Sequence, residues 1–116
     1  MALSPPSLEW DRDTRMPVPP PPEGAFDCQF HIYGDPREYP LAKTATYPAI
    51  ESATFDAAVN MHRALGFHGG VIVHSSVYGQ DNRLLLDTLE NLPAELRGRY
   101  KATVNLTGAE SDAELA

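Results

Sequence analysis

The sequence predicts an α/β fold built on a parallel sheet, and three observations carry that reading. Strand and helix patterns alternate in the order β-α-β-α-β, the order that parallel strands joined by helical crossovers require. The first strand, residues 26–33, alternates without a break: Phe26, Cys28, Phe30 and Ile32 on one side, Asp27, Gln29, His31 and Tyr33 on the other. Polar residues also gather where the strands end, which is where parallel α/β proteins keep their sites.

Each element follows from local chemistry. Residues 1–25 hold seven of the chain's 11 prolines, including Pro19-Pro20-Pro21-Pro22. Proline donates no backbone hydrogen bond, so this stretch is expected to be an extended arm laid over the body, pinned by Trp10. The body is expected over 26–116. Gly34-Asp35-Pro36 stops the first strand, and a long connection over 34–51 follows. Two to six residues are usual for such a loop, so it is either a lid or a rigid surface loop held by Pro36, Pro40 and Pro48.

A helix is expected from about Thr54 to Leu65, with Phe55, Ala58, Val59, His62 and Leu65 as its buried stripe. Ser52 or Thr54 caps its start and Gly66 ends it. The second strand is expected over Gly70 to His74. A helix from Asp81 or Asn82 to Leu92 presents Leu85, Leu86, Leu89 and Leu92, and Pro93 closes it. The third strand is expected over Tyr100 to Leu106. Gly66-Phe67-His68-Gly69-Gly70 enters a strand rather than leaving one, so it reads as a helix stop and turn, not a phosphate loop. Ser111-Asp112-Ala113-Glu114 is a capping box that opens another helix just before the sequence ends. Together with three strands whose edges would stay bare, this leads to the expectation that the sequence is the front part of a longer protein.

Composition narrows the classes of function. A chain of 116 residues makes one small domain. Its net charge of −7, with no basic stripe, argues against nucleic acid and anionic membrane surfaces. No apolar run approaches the ~18 residues of a membrane span, and no signal peptide is evident. The lone Cys28 can form no internal disulfide, which fits a reducing cytoplasm. On the apolar side of its strand, it is expected to pack as a small hydrophobe.

Two separated motifs then carry a resemblance. Asp27-Cys28-Gln29-Phe30-His31-Ile32-Tyr33-Gly34-Asp35-Pro36 is followed by Tyr39-Pro40. Gly70-Val71-Ile72-Val73 runs into Ser76-Val77-Tyr78-Gly79-Gln80-Asp81-Asn82-Arg83. In order and spacing this resembles the N-terminal third of amidohydrolase-related proteins, most of all the 2-pyrone-4,6-dicarboxylate lactonase branch, over about residues 24–107. The resemblance implies the β-α-β-α-β front portion of a (β/α)8 TIM-like barrel. It also implies hydrolysis or decarboxylation of small carboxylic acids, some members using a divalent metal and some none.

The family's first strand usually ends in His-x-His; here it reads Gln29-Phe30-His31. An amide oxygen is a poor metal ligand, so no metal is expected, with a divalent ion such as zinc as the alternative. The resemblance then implies His31 as the group that orients or polarises a scissile carbonyl, and Gln29 as a donor to the developing oxyanion. His74, Ser76, Tyr78 and Asn82 are the candidate contacts for a small carboxylate or lactone substrate, and Asp81 is expected to cap the second helix. The family's further catalytic histidine and aspartate would lie beyond Ala116, so the chain alone is expected to be inactive. The opposing possibility is a non-catalytic fragment or a small-molecule-binding relative that has lost its catalytic groups.

Overall fold

The computed structural model describes residues 8–116. The first seven residues of the expected arm lie outside the described residues. Three strands, β1 (Phe26–Phe30), β2 (Gly69–Val73) and β3 (Tyr100–Thr103), form one sheet in the order β1-β2-β3. Both pairings are parallel. Helix α1 (Phe55–Leu65) connects the first pair and α2 (Arg83–Glu90) the second, and a short α3 (Asp112–Leu115) follows. Among the described residues no helix is long and apolar enough to cross a membrane.

Both crossover helices pack on the same face of the sheet. Val59 of α1 meets Leu92, Leu96 and Tyr100, while Leu85 of α2 meets Ile32 and Ile72. Ile72, in the middle of the central strand, is fully buried between these two clusters. The caps are those the sequence specifies. Thr54 Oγ1 accepts the Ala57 amide at 3.2 Å, and Gly66 closes α1 in the left-handed region at φ 85°. Ser111 and Glu114 make the reciprocal capping box at the start of α3.

Several expectations need correction. The first strand ends at Phe30, not at 33, because Ile32 turns into the core and the Tyr33 amide donates to Ala53 O at 2.9 Å instead of to the ladder. Its alternation is also interrupted. Asp27 pairs with Gly70 and Phe30 with Ile72, so three residues of β1 match two of β2. The extra residue shifts the phase of every side chain beyond it. Asp27 and Phe30 therefore share the helix-covered face, and both contact His62. Cys28 lies on the other side and is exposed, not packed as a small hydrophobe.

Helix α2 starts later than expected. Asn82 occupies the cap position, while Asp81 accepts the Arg83 amide at 3.1 Å and binds its guanidinium. The third strand stops at Thr103; beyond it, Asn105 is bonded to the chain entering α2 rather than to a strand.

Candidate functional site

Strands of a parallel sheet leave polar backbone groups at their carboxyl ends, where loops bring side chains together. Here that end is formed by the residues after β1, β2 and β3. The bulge leaves Gln29 and His31 exposed while Phe30 and Ile32 turn inward. His31 Nδ1 lies 2.8 Å from the carbonyl oxygen of Val73. A carbonyl only accepts, so Nδ1 carries the proton and Nε2 of the neutral ring is left as an acceptor.

The segment after β2 is fixed by its own side chains. His74, buried, donates from Nε2 to Gly79 O at 2.8 Å. Asn105 Nδ2 donates to the same carbonyl at 2.9 Å. Asn82 and Asn105 form a two-way clasp: Asn82 Nδ2 donates to Asn105 O at 2.9 Å, and the Asn105 amide donates to Asn82 Oδ1 at 3.0 Å. Tyr78, also buried, accepts the Gly34 amide on its hydroxyl at 3.0 Å. In this arrangement His74, Tyr78 and Asn82 spend these polar atoms on holding the loops, whereas Ser76 is exposed.

Tyr47, from the long 34–51 connection, reaches this segment. Its hydroxyl lies 3.2 Å from Ser76 Oγ and 3.3 Å from Ser75 Oγ. Hydrogen bonding from Ser75, then Ser76, holds the Tyr47 phenol below the usual tyrosine range. Burial pushes the phenols of Tyr33 and Tyr78 up. Asn105 stands in the polar segment 105–108 that follows the third strand in the sequence, whereas spacing does not single out Tyr47; its one available signal is an unusually long loop carrying two tyrosines beside a polar strand end. That loop is held as a rigid piece. Tyr39, Leu41, Tyr47 and Ile50 pack on a core of Tyr33, Ala45, Val77 and Tyr78. The Ala42 amide donates to Val77 O at 2.7 Å, and Tyr39 donates to Asp87 Oδ2 at 2.6 Å.

Among the described residues no three His, Cys, Asp or Glu side chains group around a common point. Gln29 offers an amide where a second imidazole would bind a metal better.

The fold and the polar strand ends define a class: a parallel βα chain with its candidate chemistry at the carboxyl end of the sheet. Comparison with known proteins makes this more specific. The chain is 35% identical over 85 residues to a 4-sulfomuconolactone hydrolase of Hydrogenophaga intermedia, covering 73% of this chain and 26% of that protein. It is 32% identical over 104 residues to a 2-pyrone-4,6-dicarboxylate hydrolase of Comamonas testosteroni, covering 89% of this chain and 33% of that protein. No family model matches the chain.

Among solved structures, a protein of Agrobacterium tumefaciens superposes with a TM-score of 0.70 at 21% identity, over 87% of this chain and 34% of that one. A probable 2-pyrone-4,6-dicarboxylic acid hydrolase of Acinetobacter baumannii, solved with citric acid, superposes with a TM-score of 0.68 at 22% identity, over 79% and 32%. The resemblance read from the sequence is thus borne out: over the matched span the chain is similar to the N-terminal part of lactonase-like amidohydrolase-related proteins. Its three strands and their helices are the β-α-β-α-β portion of a TIM-like barrel. The chain spans between a quarter and a third of the length of the curated relatives it matches.

Proposed function

We propose that this chain supplies the N-terminal part of the catalytic site of a hydrolase acting on a small carboxylated substrate such as a lactone. Residues 26–116 form the barrel part and residues 1–25 the arm. The observation that carries the reading is the β1 bulge. It leaves Gln29 and His31 open to the same sheet end as the hydroxyls of Tyr47 and Ser76, in a chain similar to two hydrolases named for lactones.

Hydrolysis of a lactone adds water oxygen to the carbonyl carbon, breaks the ring C–O bond, and gives the leaving oxygen a proton. In this reading the Gln29 amide donates to the carbonyl oxygen as it gains charge. His31 acts through Nε2, because Nδ1–H is held by Val73 O. As the imidazolium it donates to the carbonyl and polarises it, and Val73 O supports the added charge. Only a protonated Nε2 donates; the neutral imidazole accepts there. Tyr47 and Ser76 are suited to donate to a substrate carboxylate. The group that activates water comes from outside this chain.

The test is a chimera in which residues 24–107 replace the matched segment of the Hydrogenophaga hydrolase. It is expected to hydrolyse 4-sulfomuconolactone or 2-pyrone-4,6-dicarboxylate, to lose about 10²-fold in rate on His31→Ala or Gln29→Ala, and to keep its activity after chelation. A chimera folded by circular dichroism that binds the pyrone dicarboxylate without turnover would instead establish the non-catalytic reading.

A further inference from the structure

We infer that Asp27 and His62 are positioning residues for Gln29. A buried imidazole anchors the Asp27 carboxylate, and the carboxylate holds the bend of β1 from which Gln29 is presented. The inference deepens the proposed function, on which it rests for its rate readout alone. Asp27 pairs with Gly70 and Phe30 with Ile72, so Cys28 and Gln29 together stand opposite Val71. A bulge disrupts the ladder locally, and the chain there needs another support. Here the support is a side chain: the Gln29 amide donates to Asp27 Oδ1 at 3.1 Å. A carboxylate that accepts the amide two residues on closes a tight local turn.

The other carboxylate oxygen is tied to α1. Asp27 Oδ2 accepts from His62 Nε2 at 3.0 Å, and His62 is 1% exposed. Aromatic rings confine that imidazole: Phe30 lies edge-on at 4.8 Å between centroids, Tyr100 stacks at 5.8 Å and Phe67 meets it at 5.9 Å. The Tyr100 hydroxyl, 2.9 Å from Nδ1, leaves the proton of the neutral ring on Nε2, aimed at the carboxylate. Hydrogen bonds to an ionised acceptor are about twice as strong as neutral ones, which makes Asp27 the tight joint of the series Tyr100, His62, Asp27, Gln29.

The Gln29 side chain is exposed, so its aim is set by the backbone that carries it. Unbroken alternation would also turn Asp27 to the side of Gln29 and His31. There its charge would oppose a carboxylated substrate. Drawing Asp27 to His62 therefore does two things: it orients the amide donor, and it keeps that charge on the helix side of the sheet.

Two conservative variants separate positioning from general support. Asp27→Asn keeps an oxygen for the Gln29 amide, and its Nδ2 can donate to His62 Nε2 once the ring proton sits on Nδ1, facing the Tyr100 hydroxyl. Asp27→Glu keeps the charge, but one more methylene takes the carboxylate out of the two-residue turn. Amide exchange is followed by NMR on the 116-residue chain and normalised to the amides of β2. Gln29 should stay protected in Asp27→Asn and exchange about tenfold faster in Asp27→Glu. In the chimera, Asp27→Glu should lower lactone turnover about tenfold and Asp27→Asn less than about threefold, and Asp27→Glu should cost nothing more in a Gln29→Ala background. A carboxylate that served only as an ion-pair partner would tolerate Glu better than Asn, and its loss would add to that of Gln29. Gln29 exchange unchanged in Asp27→Glu, or released in Asp27→Asn, overturns the positioning. So does a chimera slowed by Gln29→Ala but indifferent to Asp27→Glu. The expected exchange pattern beside a chimera without turnover leaves the positioning standing and counts against the proposed function alone.

Discussion

At the scale of single residues, the base of the sheet rests on one buried histidine. His62 is 1% exposed, with Nε2 at 3.0 Å from Asp27 Oδ2 and Nδ1 at 2.9 Å from the Tyr100 hydroxyl. The pairing is self-consistent: Nε2–H donates to the carboxylate and Nδ1 accepts from the phenol. It ties β1, α1 and β3 through one ring. Gly70 makes room for it, since a Cβ there would sit 2.6 Å from Asp27 O and 3.3 Å from His62 Cε1. His62→Ala removes both bonds, leaving the Tyr100 hydroxyl without its histidine partner and Asp27 with only the Gln29 amide. In the chimera it should cost about 2–4 kcal/mol in urea unfolding. A loss below about 0.5 kcal/mol would show that the network contributes only as solvated surface does. Asp27 also accepts the Gln29 amide on Oδ1 at 3.1 Å, so the network braces the strand that carries Gln29.

At the scale of elements, the informative piece is the 34–51 loop, which the sequence leaves open as lid or rigid loop. Its own apolar cluster and its bonds to Val77 and α2 make it part of the scaffold. The contact with α2 has a pH signature. The hydrogen bond to the Asp87 carboxylate, with some burial, pushes the Tyr39 phenol up to about 12. A raised folded value means that the protonated phenol is what the fold holds. The contribution is whole below the unfolded tyrosine range near pH ~10 and is lost as pH rises through about 12. In an ultraviolet-difference titration Tyr39 should be the last tyrosine to ionise and Tyr47 the first. Tyr39→Phe should delete the last phase and leave the first unchanged. A Tyr39 that ionises with the bulk of the tyrosines would mean that the loop is not docked on α2.

At the scale of the whole molecule, the chain is a slab of 43 × 39 × 22 Å with a radius of gyration of 15.4 Å. A closed domain near this length has a radius of about 13 Å. Among the described residues one face of the sheet carries helices, the other does not, and β1 and β3 both have a bare edge. Phe26, Val104 and Leu106 remain 43%, 41% and 53% exposed. A half-covered sheet buries too little apolar area to offset chain entropy with a wide margin. The isolated chain is therefore expected to melt broadly and without lactone turnover, as judged by calorimetry and by assay with and without added zinc. A sharp cooperative transition would show that the slab is a sufficient folding unit by itself.

What the sequence determined by itself is what short-range chemistry controls. The helical stripe of Phe55, Val59 and His62, the Thr54 and Ser111 caps and the left-handed Gly66 each depend on a few neighbouring residues, and all are where the pattern puts them. The β-α-β-α-β order and two separated motifs were enough for the parallel sheet and the resemblance. The phase of β1 was not legible. Unbroken alternation from Phe26 to Tyr33 puts Asp27 beside His31, but pairing against Gly70 and Ile72 inserts a bulge and sends Asp27 to His62 and Cys28 to the surface. The partners of Tyr47 and Asn82 were equally hidden, because Ser75 and Asn105 are 28 and 23 residues away. Local propensity fixes which segments are strands and helices. Register, bulges and side-chain partners are fixed only when strands compete for each other's backbone, and that competition is decided by tertiary structure.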